Sequence, residues 1–187
     1  MGNYTIVLDA GHGGSDPGAV NKELGLQEKD LALAIALHTR DYLTSYGYNV
    51  IMTREEDIDI PLKKRVQIAN KANAKIFVSI HLNGANNPKA NGFEVYHYPT
   101  SIKGKKLAVH IMRQLEQLKK GLYPGFITRG VRENTFYVLT YTKMPAILVE
   151  AGFITGDKDA KWLADDHNYT YVAMFIAQGI KDYFDWR

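Results

Sequence analysis

The stretch Tyr4-Thr5-Ile6-Val7-Leu8-Asp9-Ala10-Gly11-His12-Gly13-Gly14 decides how the rest of the chain is read. Its first five residues are apolar and β-favouring, as a buried strand should be, and Gly11 ends the run. A histidine then stands in a glycine-rich turn directly after the strand. The glycines let the backbone turn sharply around His12 and keep space open beside it. The segment is no phosphate cradle: Gly13 to Gly18 is followed by Ala19-Val20 rather than Lys and Ser/Thr, and no G-x-G-x-x-G is present.

Outward from this strand, apolar runs alternate with helical patterns. Glu28 to Tyr46 reads as a helix, with Leu31, Ala34, Ile35 and Tyr42 on one face and Gly47 as its stop. Asn49 to Met52 is a second strand. Pro61 opens a helix carrying Leu62, Val66 and Ala69, in the first turn that proline tolerates. Lys75 to Ile80 is a third strand and Gly92 to Tyr98 a fourth. Gly104 to Leu118 is amphipathic, Phe136 to Leu139 reads as a short strand, and Ala146 to Val149 is a strongly apolar one. Asn168 to Phe184 is the last helix. Strands and helices in alternation predict a single-domain α/β fold, with a mostly parallel sheet flanked by helices.

Three of these strands run into residues that carry chemistry. The first leads to His12, the third to His81 in Ser79-Ile80-His81-Leu82-Asn83, and the last to Glu150 in Val149-Glu150-Ala151-Gly152. All three are expected just past the carboxyl ends of their strands, the edge of an α/β sheet where ligands bind. Two imidazoles leave a hydrolytic zinc site one ligand short, since such sites take three protein ligands and a water. Glu28, at the start of the first helix, is the best carboxylate for the third place. Asp30 points about 100° away if both are helical, Glu23 lies on a loop, and Asp9 and Asp16 are better read as supporting or turn residues. Zinc would acidify a water and polarise the scissile carbonyl. Glu150, behind four apolar residues, would have its pKa raised and would move the proton.

Composition removes other chemistries. None of the 187 residues is cysteine, which excludes disulfides, thiolate metal sites and a cysteine nucleophile. Apolar residues make up 45% and charged residues 23%, an ordinary globular balance. The net charge of +3 is spread out, and the clusters Lys63-Lys64-Arg65 and Lys103/Lys105/Lys106 lack the interleaved aromatics of a nucleic-acid platform. No apolar run is long enough to span a bilayer, so neither nucleic-acid binding nor membrane insertion is expected. Met1 to Val7 shows no basic and apolar signal pattern.

At these residues the chain resembles the zinc-dependent N-acetylmuramoyl-L-alanine amidases of the third amidase family, which comprise bacterial autolysins, sporulation amidases and phage endolysin catalytic domains. The carrying segments are Ile6–Gly14, Glu28-Lys29-Asp30-Leu31, Val78–Asn83, Arg129-Gly130-Val131-Arg132 and Met144–Phe153, in the family's order over nearly the whole chain. The resemblance implies a mixed six-stranded sheet and one catalytic domain over residues 1–187. It implies one zinc on His12, Glu28 and His81, a catalytic Glu150, and cleavage of the amide between N-acetylmuramic acid and L-alanine of peptidoglycan. It implies substrate contact by Asn83 and Arg132. Thr53-Arg54 and Arg65-Val66 also match, with a structural role at least as well supported. Ala151 departs from the larger apolar residue of many relatives, and no inserted helix of the kind that plugs regulated division amidases is visible. Action at the bacterial cell wall, as an extracellular or phage-released monomer, is the expected setting.

Plainer readings weigh against single residues. His38, His97, His110 and His167 have no motif around them and are read as structural. Glu28 alone would be a first-turn carboxylate favoured by the helix dipole. Glu150 alone would need an Arg or Lys partner. Asp57 and Asp59 lack the rest of a calcium loop, and the Asn-Tyr-Thr triplets at 3–5 and 168–170 are read as chance. The competing functions are a catalytically silent wall-binding module and a zinc hydrolase of another peptide amide.

Overall fold

The computed structural model describes residues 4–186. Asn3, and with it the first Asn-Tyr-Thr triplet, lies outside the described residues. The elements are β1 (Thr5–Ala10), a small hairpin of β2 (Val20–Asn21) and β3 (Leu26–Gln27), α1 (Glu28–Ser45), β4 (Asn49–Met52), α2 (Leu62–Lys71) and β5 (Ile76–Asn83). After them come β6 (Phe93–His97), α3 (Ile102–Leu115) with a 3-10 turn, β7 (Thr128–Glu133), α4 (Tyr137–Tyr141), β8 (Ala146–Phe153), α5 (Asp159–Leu163) and α6 (Asp166–Asp185).

Six strands form one mixed sheet in the order β4-β1-β5-β8-β6-β7. The first four are mutually parallel; β6 runs antiparallel to β8 and carries the parallel β7 at its edge. Side chains alternate between the two faces of each strand. Ile6, Leu8, Ile76, Val78, Ile80, Ile147, Val149, Phe93 and Val95 face α1, α3 and α6 in the main core. Val7, Phe77, Ala146 and Leu148 face the smaller layer of α2 and α4 through Val66, Ala69, Val138 and Leu139. That second layer stops short of the carboxyl ends of the parallel strands, and a cleft of about 500 Å³ opens there.

Several sequence expectations are corrected. Residues 136–139 do not form a strand: residues 137–141 form a turn of helix, with the Tyr137 and Tyr141 rings 4.5 Å apart. A four-residue apolar run is too short for periodicity to separate the two. Strand β7 went unrecognised because Thr-Arg-Gly-Val-Arg-Glu carries two arginines and a glycine and is not apolar. The buried stripe of α1 is Leu31, Ala32, Ile35, Ala36, Thr39 and Leu43, with Ala34 and Tyr42 only partly buried. Pro61 caps α2 rather than occupying its first turn, and Leu62 is exposed. Strands β5 and β8 run on through His81 and Glu150, because the ladder between them continues; both residues lie within strands, not past them.

Candidate active site

Alternation and register bring the polar residues of neighbouring strands onto the cleft face. His81 of β5 pairs with Glu150 of β8, and Glu150 with Glu94 of β6, so the three stand side by side in one row across the sheet. In the row beneath, Asp9 of β1 pairs with Ser79.

His12 reaches the same place from the loop after β1. It has φ of 57°, in the left-handed region that costs a residue with a Cβ and persists only where the surroundings enforce it. Two buried arginines enforce it. Arg54 donates from Nε to Ala10 O at 3.0 Å, and from Nη2 to Gly11 O at 2.7 Å and Lys29 O at 2.8 Å. Arg65 donates from Nη2 to His12 O at 2.7 Å and from Nη1 to Asp9 Oδ1 at 2.8 Å. Asp9 also accepts from the Thr53 and Ser79 hydroxyls at 2.7 and 2.6 Å. Three consecutive carbonyls, 10 to 12, are thus held by two guanidiniums.

Glu28 is the first residue of α1 and is buried. Its Oε2 accepts the Ala19 N–H at 2.8 Å and its Oε1 the Leu82 N–H at 3.1 Å. The same Oε1 lies 3.0 Å from His12 Nε2 and 2.9 Å from His81 Nδ1. One donor atom from each of the three residues lies within 4.8 Å of the others. Asp30 and Glu23, the other carboxylates considered, are exposed. Asp16 Oδ2 sits 2.7 Å from His12 Nδ1 and fixes which ring nitrogen faces inward, the usual supporting contact of a ligating histidine.

Two nitrogens and a carboxylate oxygen, in a chain without thiols, are a donor set suited to zinc. The space between them is kept by glycine: a Cβ at Gly11 would collide with the His81 imidazole. Burial disfavours the imidazolium of His12, but the Glu28 and Asp16 carboxylates outweigh it and push its pKa up to about 9. Burial would raise the Glu28 pKa, yet His12 and His81 beside it hold it well below the usual carboxylate range.

Glu150 differs in kind. Its Oε2 is sealed from solvent and has no hydrogen-bond partner among the described residues. Among the described residues, no Arg or Lys pairs with it. Burial pushes its pKa up to about 7; His81 opposes this, while Glu28 and Glu94 add to it. A carboxyl with one oxygen sealed from solvent and unpartnered is destabilised and marks a candidate functional group.

Asn83 donates from Nδ2 to Glu94 Oε2 at 3.0 Å, and Arg132 Nε lies 3.4 Å from Glu94 Oε1. Both substrate-contact candidates therefore converge on Glu94, which sequence reasoning missed. The signal was present: a glutamate between Phe93 and Val95 in an apolar strand is as conspicuous as Glu150. Asp59 to Leu62 and Phe136 to Val138 wall the cleft. Asp57 binds Lys29 and the Gly14 N–H instead of forming a cation loop. Another grouping of potential metal donors, Asp165, Asp166 and His167, is exposed at the start of α6, where Asp165 caps the helix.

Residues 6–182 match the sequence family described as N-acetylmuramoyl-L-alanine amidase. The chain is 32% identical to the N-acetylmuramoyl-L-alanine amidase AmiA of Escherichia coli, covering 99% of this chain and 78% of that one. That alignment runs over 225 residues, more than this chain contains, so the relative carries insertions this chain lacks. Among solved structures, the amidase AmiC2 of Nostoc punctiforme superposes with a TM-score of 0.91 at 39% identity, with 98% of both chains covered. The CwlD amidase of Clostridioides difficile, solved in complex with the GerS lipoprotein, does so with a TM-score of 0.92 at 34% identity, covering 99% of this chain and 100% of that one.

Proposed function

The chain belongs to the N-acetylmuramoyl-L-alanine amidase family of peptidoglycan hydrolases, and we propose that His12, Glu28 and His81 hold its catalytic zinc while Glu150 carries the proton. One observation carries this reading: three donor atoms converge within 4.8 Å of one another beside a sealed, unpartnered Glu150 oxygen.

The residues divide the work. Zinc bound at this site supplies Lewis acidity, to a water and to the carbonyl of the scissile amide. Glu28 anchors the site through two backbone N–H groups, and Asp16 and the Arg54/Arg65 clamp hold His12 in its strained conformation. Glu150 accepts a proton from the attacking water and returns it to the departing nitrogen. A pKa of about 7 suits both halves of that transfer near neutral pH. Ile60 to Leu62 and Phe136 to Val138 wall the cleft beside the bond. Asn83 and Arg132 contact the substrate at the far end of the row.

The described residues act as one catalytic domain, a monomer working on one peptidoglycan strand at the bacterial cell wall. Among the described residues, no helix is long and apolar enough to cross a membrane. The test is digestion of purified peptidoglycan followed by mass spectrometry. Intact glycan chains and new free L-alanine amino termini are expected. Cleavage at another peptide bond would favour a hydrolase of different specificity, and binding without new amino termini would favour a silent module.

A further inference from the structure

Beyond Glu150, on the side away from the candidate metal ligands, the row continues through Glu94 of β6 to Gly130 of β7. Glu94 is only 3% exposed, yet it is surrounded by donors. It accepts from Asn83 Nδ2 at 3.0 Å, from the Tyr96 hydroxyl at 2.7 Å and from Arg129 Nε at 2.6 Å, with Arg132 Nε 3.4 Å away. A buried ion pair is a poor way to gain stability. It is a good way to fix two guanidiniums in place.

A bulge makes the arrangement possible. Residues three apart on a regular strand face opposite sides of the sheet. Arg129 and Arg132 are three apart, but the register steps from Phe93↔Thr128 to Glu94↔Gly130, leaving Arg129 as an extra residue. Thr128 keeps to the core face, where its hydroxyl meets Met112 Sδ. Arg129 turns to the cleft face, onto Glu94 and against the Phe153 ring at 5.1 Å. Arg132 follows on the same face, beside Tyr96 in register. Bulges of this kind re-aim side chains next to active sites.

Two guanidiniums thus share one carboxylate, which leaves one positive charge uncompensated. Arg129 Nη2 and both Nη atoms of Arg132 have no hydrogen-bond partner among the described residues, and the two side chains are 36% and 48% exposed. The reaction supplies the direction. Glu150 must meet the departing nitrogen, and the carbonyl side lies towards His81, so the departing peptide extends along the row towards β6 and β7. We propose that Arg129 and Arg132, fixed by Glu94, form a binding site for a free carboxylate on the peptide that the reaction releases. This rests on the amidase reading above.

The test uses two muropeptides that differ only in the residue after L-alanine, which carries a free carboxylate in one and a carboxamide in the other. The wild-type protein is expected to cleave the carboxylate form with about tenfold higher kcat/KM, and high salt should shrink that ratio. In Arg132→Gln and in Arg129→Gln the ratio should fall towards one, while Arg132→Lys should keep part of it. If Arg129→Gln does not fold, Arg132→Gln decides alone. Equal cleavage of both substrates by the wild type, or a ratio unchanged in Arg132→Gln, would overturn the carboxylate site and leave the amidase reading standing. Cleavage of neither substrate would overturn both.

Discussion

On one face of the sheet, Ile80, Val149 and Val95 are fully buried against α1, α3 and α6. On the other, their immediate chain neighbours His81, Glu150 and Glu94 stand in one row across the sheet, and the first two line a cleft. The same strands write both faces, one residue out of phase. Because successive side chains point to opposite sides, a strand can fill a close-packed core and present chemistry without spending extra residues. The two faces should therefore fail in different ways when mutated, stability on one and metal or proton handling on the other.

The neighbours Ile80 and His81 make the sharpest pair. His81→Ala should take wall-lytic activity to background and bound zinc from about one per chain to none, as read by turbidity clearing and elemental analysis. Ile80→Ala should cost about 2–5 kcal/mol, a drop of roughly 4–20 °C in melting temperature, yet retain zinc. If His81→Ala destabilised the metal-free fold more than Ile80→Ala, the division between the faces would be wrong.

Asp16→Asn removes neither a core side chain nor a proposed zinc ligand. It weakens the 2.7 Å contact that orients His12 Nδ1. Zinc affinity should fall about 10–100-fold in a chelator competition, with a smaller loss of stability in the metal-free protein than Ile80→Ala causes. No change in affinity would show that the Arg54/Arg65 clamp alone suffices to orient His12.

The smallest effect is a pH slope. His12 titrates at about 9 instead of 6.5. In the metal-free protein its charge supports the fold fully below about 6.5, and that support is lost as pH rises through about 9. Glu28 is depressed from 4.5, so its contribution is present above 4.5 and lost on acidification. A zinc held by His12 would have to displace the His12 proton. Apparent zinc affinity should therefore rise about tenfold per pH unit up to about 9 and then level. A flat profile between pH 7 and 9 in calorimetry would show that His12 is already neutral there in the metal-free protein.

Much of this was legible in the sequence, for identifiable reasons. Residues 28–46 carry an unbroken helical pattern with a glycine stop, and β1, β4, β5 and β8 are apolar enough to read as buried strands. His12, His81 and Glu150 stood out because polar residues interrupt or end such runs. Glu28 was harder: spacing left several carboxylates open, and family resemblance narrowed them to one. The reversed direction of β6 and β7 leaves no mark on periodicity, since alternation reads the same both ways. The bulge at Arg129 depends on one residue of register, and no local pattern announces it. Glu94 was legible and overlooked, because its strand was read for its apolar residues alone.

The two glutamates beside the histidines, Glu28 and Glu150, are assigned separate jobs, the first holding the metal and the second moving the proton. Glu150→Gln tests this assignment most directly, measured as zinc content together with the rate of release of free L-alanine amino termini from purified peptidoglycan. Zinc is expected to stay at about one per chain while the rate falls by about 10²–10⁴-fold. Wild-type release by the zinc-loaded variant, or loss of its zinc, would contradict the assignment.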